Sequence, residues 1–135
     1  MRRSAQPVIL VVDDSRANRL LMRELLKSRG YEVAEAESAE QALALMRDSK
    51  PDLVLMDVQL PGMDGLTATR VLRADPLLAT TPVIALTSRN LAIDKEAALA
   101  AGCNAYLSKP INQKECFEAI TSILGRQAGD AGPLT

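Results

Sequence analysis

Histidine and tryptophan are absent from this sequence, and the remaining aromatics are scarce: one Phe and two Tyr in 135 residues. The lack of histidine excludes imidazole-based triads, imidazole-ligated metals and phosphohistidine chemistry carried by this chain itself. With aromatics at 2%, a core has to be built from Val, Ile, Leu, Ala and Met. The two cysteines, Cys103 and Cys116, have no metal-site spacing and read as reduced packing residues. A basic excess is also missing, since sixteen Lys and Arg stand against seventeen Asp and Glu. Nucleic-acid binding, which rests on a cationic surface, is therefore not expected of this chain. No apolar run approaches the length that spans a bilayer. Met1-Arg2-Arg3 resembles the charged start of a signal peptide, but the apolar stretch 8–12 is short and runs into Asp13-Asp14 without a small-residue cleavage site. The expectation is a cytoplasmic protein with no membrane contact.

What is present is the balance of one globular domain, 47% hydrophobic and 24% charged. Val8-Ile9-Leu10-Val11-Val12 is a continuous, largely β-branched run, as a strand buried on both faces requires. Leu53-Val54-Leu55-Met56 and Val83-Ile84-Ala85-Leu86 repeat it, while 31–36 and Ala105-Tyr106-Leu107 suit flanking strands. Helices fill the gaps. Ser15 is placed to cap one over about 16–29 that stops at Gly30. Ser38-Ala39-Glu40-Gln41 and Asn112-Gln113-Lys114-Glu115 have the form of capping boxes. A third helix follows Gly65 and closes at Asp75-Pro76, a fourth covers about 91–101 before Gly102, and the fifth ends near Gly125. The expected organisation is one domain over 7–125 and a flexible tail over 126–135. Five strands alternating with five helices through short connections predict an α/β fold, a doubly wound parallel sheet with helices on both faces. Such a sheet gathers its site at the carboxyl ends of the strands.

Those ends carry the chemistry. Asp13 and Asp14 follow the first strand, Asp57 closes the third, Thr87 follows the fourth, and Lys109 lies just past the fifth. An Asp-Asp pair after a strand is commonly a solvated turn, and a lone Thr or Lys at a strand end says little. Their coincidence at corresponding ends is what carries weight. Three carboxylates brought together resist ionisation unless a cation joins them, and a hard divalent ion such as Mg²⁺ suits that donor set. Lys109 adds a point charge for an anionic oxygen, and Thr87 adds a hydroxyl. This set suits phosphoryl transfer to the Asp57 carboxylate, a reaction catalysed mainly by positioning and charge neutralisation.

Four segments then bear a family resemblance: Val11-Val12-Asp13-Asp14-Ser15, the stretch from Leu55-Met56-Asp57 through Gln59-Leu60-Pro61-Gly62 to Gly65, Leu86-Thr87-Ser88, and Tyr106-Leu107-Ser108-Lys109-Pro110. In order and spacing they resemble response-regulator receiver domains of two-component signalling. The resemblance covers about 8–124. It implies a flavodoxin-like (βα)5 fold with strand order 2-1-3-4-5. It further implies Asp57 as phosphoacceptor, and Mg²⁺ or Mn²⁺ held by Asp13, Asp14, Asp57 and the Gln59 carbonyl. Thr87, Ser88 and Lys109 would contact the phosphoryl group, Thr87 and Tyr106 would form a switch pair, and Pro110 would be cis. The implied donor is a histidine kinase or histidine phosphotransfer protein. The implied output is a protein target at the helix 4–strand 5–helix 5 face, without a catalytic activity beyond the domain's own phosphorylation and dephosphorylation.

Two rival readings fail on particular residues. A haloacid-dehalogenase-type phosphatase needs a second Asp two positions after the nucleophile, where Gln59 stands. A flavin-binding module needs a phosphate-cradling loop after the first strand and stacking aromatics, whereas Asp13-Asp14 is electrostatically wrong for that role. A start at Met1 and an unpatterned end favour a stand-alone regulator over the receiver portion of a hybrid histidine kinase.

Overall fold

The structure is a computed structural model that describes residues 6–87 and 92–128, the side chains of 92–94 and 126–128 excepted. Among these residues the order is β1 (Val8–Val12), α1 (Arg16–Lys27), β2 (Glu32–Ala36), α2 (Ala39–Asp48), β3 (Leu53–Asp57), α3 (Gly65–Ala74), β4 (Val83–Thr87), α4 (Ala92–Ala101), β5 (Ala105–Ser108) and α5 (Gln113–Ala128). The strands form one parallel sheet in the order β2-β1-β3-β4-β5. This is the flavodoxin-like arrangement, with the reversal of strand order beside β1.

The uninterrupted apolar runs follow from burial on two faces. Alternate residues Leu10, Val12, Val54, Met56, Val83 and Ala85 pack with α2, α3 and Ala98 of α4. Their neighbours Ile9, Val11, Leu53, Leu55, Ile84 and Leu86 pack with Met22 and Leu26 of α1 and with Phe117 and Ile120 of α5. A strand period of two therefore sends one half of each run into each core.

Local signals fix where the helices begin. Ser15 Oγ accepts from the Asn18 N–H at 3.2 Å, Ser38 Oγ from Gln41 N at 3.1 Å, and Asp64 Oδ1 from Thr67 N at 2.8 Å. The return bond of the α2 box goes one residue early, from Glu37 N to Gln41 Oε1 at 2.7 Å. α1 stops at Lys27 rather than Arg29, because Arg29 N and Gly30 N bond back only three residues, to Leu26 and Lys27. α5 differs in the other direction, passing through Gly125 to Ala128. Gly125 is not among the glycines with positive φ, so it sits in the helix as an ordinary residue instead of ending it. The rest of the expected tail, 129–135, lies outside the described residues.

One side chain ties several loops together at the end of the sheet away from the strand carboxyl termini. The Arg73 guanidinium donates to the carbonyls of Gly102, Ala79 and Thr81 and to Asn104 Oδ1, at 2.7–3.0 Å. No helix among the described residues is long and apolar enough to cross a membrane.

Candidate functional site

Register aligns the strand ends. Val12 lies opposite Met56, Asp57 opposite Leu86, and Thr87 opposite Ser108. The residues that follow β1 and β5 therefore meet at the end of β3. Asp13, Asp14 and Asp57 each bring a carboxylate oxygen within 4.8 Å of the others. Lys109 Nζ lies 3.1 Å from Asp13 Oδ2 and 3.1 Å from Asp57 Oδ2. Asp13 and Asp57 are buried, at 3% and 4% exposure, so neither is a solvated turn residue, while Asp14 is exposed.

Each group has identifiable supports. Asp57 Oδ1 accepts from the Gln59 backbone N–H at 3.0 Å, which leaves Oδ2 toward Lys109. Asp13 Oδ1 accepts from Ser15 N at 2.8 Å, and Oδ2 from Asn18 Nδ2 at 3.3 Å. The Lys109 backbone N–H donates to the Thr87 carbonyl at 2.6 Å, which anchors the residue beside β4, and its bond to Pro110 is cis. Burial pushes the Asp57 carboxyl above its ordinary value, against the opposing pull of the Gln59 N–H and Lys109. For Lys109, burial pulls the ammonium down, but Asp57 and Asp13 together outweigh it and hold the group above its ordinary value.

On charge, the donor set suits a divalent cation. Three carboxylates face one ammonium here, an excess of negative charge, two of whose members are buried. Clustered oxygens with surplus charge and an open, exposed side fit Mg²⁺, which takes a few carboxylates and keeps several waters. The residues present fit the ion.

The remaining expected residues fall into place unevenly. Thr87 is buried at the end of β4. Tyr106 pairs with Ala85 and packs, half-buried, against the core on the α2–α4 side. Two-residue alternation puts Ala85 and Thr87 on one face, so Tyr106 lies on the same face as Thr87, one pair back along the strands. Gln59 is exposed just after Asp57 and touches the site through its backbone N–H. Ser88 lies outside the described residues.

Residues that the sequence alone does not single out also belong to the site. Asn18 and Arg19 of α1 both contact Asp13, Arg19 through Nη1 to the Asp13 carbonyl at 2.8 Å. Their position four and five residues past Asp14, on the first turn of a capped helix, is the signal that could have found them. Beside the cluster an open groove of about 500 Å³ runs between α1 and the β5–α5 connection. Asp13 and Lys109 are in its lining, which is mostly apolar and includes Leu21, Met22, Leu25 and Ile111 beside polar residues such as Glu24 and Gln113.

A doubly wound sheet with a buried carboxylate, two companion acids and a lysine at its carboxyl rim defines a phosphoryl-accepting domain. Residues 9–121 match the response regulator receiver domain family, and the chain belongs to it. It is thus a signalling domain of a two-component system, whose phosphoryl donor is a histidine kinase. The chain is 42% identical over 117 residues to the polar-differentiation response regulator DivK of Brucella ovis, covering 87% of this chain and 95% of that one. Among solved structures, it is similar to the receiver domain of the sensor histidine kinase PA1611 from Pseudomonas aeruginosa, which has a magnesium ion coordinated in its active-site cleft. That match has a TM-score of 0.83 and 36% identity, over 90% of this chain and 99% of that one. The chemotaxis response regulator CheY4 of Vibrio cholerae is similar with a TM-score of 0.82 and 28% identity, over 88% and 99% of the two chains.

Proposed function

We propose that Asp57 is the phosphoryl acceptor, and that Asp13, Asp14, Asp57 and the Gln59 carbonyl hold a divalent cation, Mg²⁺ or Mn²⁺, beside it. The observation that carries this reading is the shared placement of Lys109 Nζ, 3.1 Å from both Asp57 and Asp13, in a ring of three carboxylates. The magnesium seen in the related PA1611 receiver supports the choice of ion. When bound, the cation supplies positive charge for the phosphoryl oxygens and offsets repulsion between them and the carboxylates.

An Asp57 carboxylate oxygen attacks phosphorus as the donor's P–N bond breaks, leaving an acyl phosphate on Asp57. Lys109, already fixed by its backbone bond to Thr87, is placed to neutralise charge on the transferred group. The Thr87 hydroxyl and Ser88 would hydrogen-bond phosphoryl oxygens. Movement of Thr87 toward them would change the packing around Tyr106 on the same sheet face. That movement would bias the α4–β5–α5 face, where a protein target reads the signal.

The groove beside the cluster suits the protein that brings the phosphohistidine. Such a donor has to cover surface next to Asp57, and Leu21 stands 70% exposed on the groove wall. A cytoplasmic site of action suits a regulator of this kind.

The decisive experiment is incubation with acetyl phosphate, with and without Mg²⁺, followed by intact mass. The expected result is a Mg²⁺-dependent gain of one phosphoryl group that Asp57→Asn abolishes. An equal gain in the variant would place the acceptor elsewhere.

A further inference from the structure

We infer that Arg19 is a positioning residue for the cation site, setting the direction of both Asp13 and Asp14 from behind. This rests on the proposed reading that these two acids hold the cation. The Arg19 side chain is largely covered, at 14% exposure, and does not reach a carboxylate of the cluster. Its Nη1 donates to the backbone carbonyl of Asp13 at 2.8 Å. That carbonyl belongs to the peptide unit joining Asp13 to Asp14. Because the unit is planar, fixing its oxygen fixes the plane from which both side chains depart.

The two acids need this support to different degrees. The Asp13 carboxylate is already held by Ser15 N, Asn18 Nδ2 and Lys109 Nζ. Asp14 is exposed, so packing does little to aim it and the backbone plane does more. The Asp13 N–H donates to the Ala36 carbonyl at 3.1 Å, so β2 steadies one side of Asp13 while Arg19 steadies the other.

Arg19 is itself held by β2. Its Nε lies 3.1 Å from Glu35 Oε1, and Arg23 Nη1 lies 3.1 Å from Glu35 Oε2. Glu35 thereby keeps a mobile cation off the carboxylates. Released, the Arg19 guanidinium could swing toward Asp13 and Asp14 and compete with the metal for their charge. The arrangement supports a metal-binding acid through its backbone, at one remove from the ion.

The test is the Mg²⁺ affinity of the unphosphorylated full chain, followed by amide NMR shifts of Asp14 and Asp57, together with thermal unfolding in chelator. Arg19→Met is expected to weaken Mg²⁺ binding about tenfold while the protein remains folded. Glu35→Ala is expected to weaken it about threefold by releasing Arg19. Arg47→Met, which breaks the remote Arg47–Asp75 pair, is expected to bind as the wild type does. A purely structural Arg19 would lower the metal-free unfolding midpoint and leave affinity within about twofold of wild type, which would overturn the inference. If Arg19→Met does not fold, unchanged affinity in Glu35→Ala overturns it equally. Absence of Mg²⁺ binding in the wild type would remove the cation reading itself, and this inference with it.

Discussion

Gly65, the first residue of α3, lies directly against the backbone carbonyl of Asp57. A Cβ built there would overlap that oxygen and come within 2.9 Å of Met56 Cγ. Its N–H donates to the Val58 carbonyl at 3.0 Å, so the start of α3 is pinned to the strand end that carries Asp57. Gly65→Ala should therefore push α3 or the end of β3 out of place. The expected loss is about 1–3 kcal/mol, seen as a lower unfolding midpoint. Phosphorylation by acetyl phosphate should slow in parallel. An unchanged midpoint would mean that α3 can shift without cost.

Much of this was legible in the residues, and the unread parts have a common cause. The apolar runs that enter both cores are a local pattern, so strands and sheet class follow from the order of the residues. The acids and Lys109 could be grouped because strand ends converge in any doubly wound sheet. Arg19 and Asn18 could not be assigned in this way, since a polar residue on a capped helix turn is normally solvated. Their role depends on which strand end the turn faces. Arg73 is the same case at the opposite end of the sheet: a basic residue in the last turn of a helix normally offsets the helix dipole. Only the fold brings the carbonyls of Gly102, Ala79 and Thr81 within its reach. Gly125 departs from expectation for the opposite reason, because a glycine signals a stop only where the chain must turn.

Lys109 should be needed for the rate of phosphorylation more than for the fold. Its ammonium joins the two buried acids but is itself part-exposed. Removing one pre-placed charge from a phosphoryl-transfer site costs about 100-fold in rate. Lys109→Met, which keeps the aliphatic stem, should show a loss of that order in the acetyl phosphate assay at saturating Mg²⁺. Retention of wild-type rate would show that the cation alone supplies the needed charge.

A change at Leu21 would separate the proposed donor surface from the chemistry. Leu21 is exposed on the groove wall and is not among the groups that contact Asp57. Leu21→Asp places a charge where an apolar partner surface would have to seat, at little expected cost to the fold. Transfer from a phosphorylated histidine kinase should fall at least about tenfold, the scale of a lost apolar contact at an interface centre. Phosphorylation by acetyl phosphate should be unchanged. Equal transfer from the kinase would move the docking surface away from this groove.

Cys116 ties stability to alkaline pH. It is fully buried among Leu26, Phe117 and Ile120, and burial pushes its thiol up from 9.0 to about 11. The folded state therefore keeps a proton that the unfolded chain releases at lower pH. Any contribution from this group is intact below the unfolded value and declines as pH rises from about 9 through about 11, by roughly 2–3 kcal/mol. Cys103 is also buried, and its thiol is raised by that burial against the opposing effects of Thr69 and Arg73. Both thiols should resist alkylation near neutral pH and react once the chain is unfolded. The measurement is a difference between wild type and variant, which isolates this thiol from the rest of the chain. Urea unfolding of wild type and Cys116→Ala is followed between pH 8 and about pH 11. The variant should start less stable because of the cavity it creates, and then lose less stability as pH rises. Parallel curves would show that the thiol ionises as readily inside the fold as outside it.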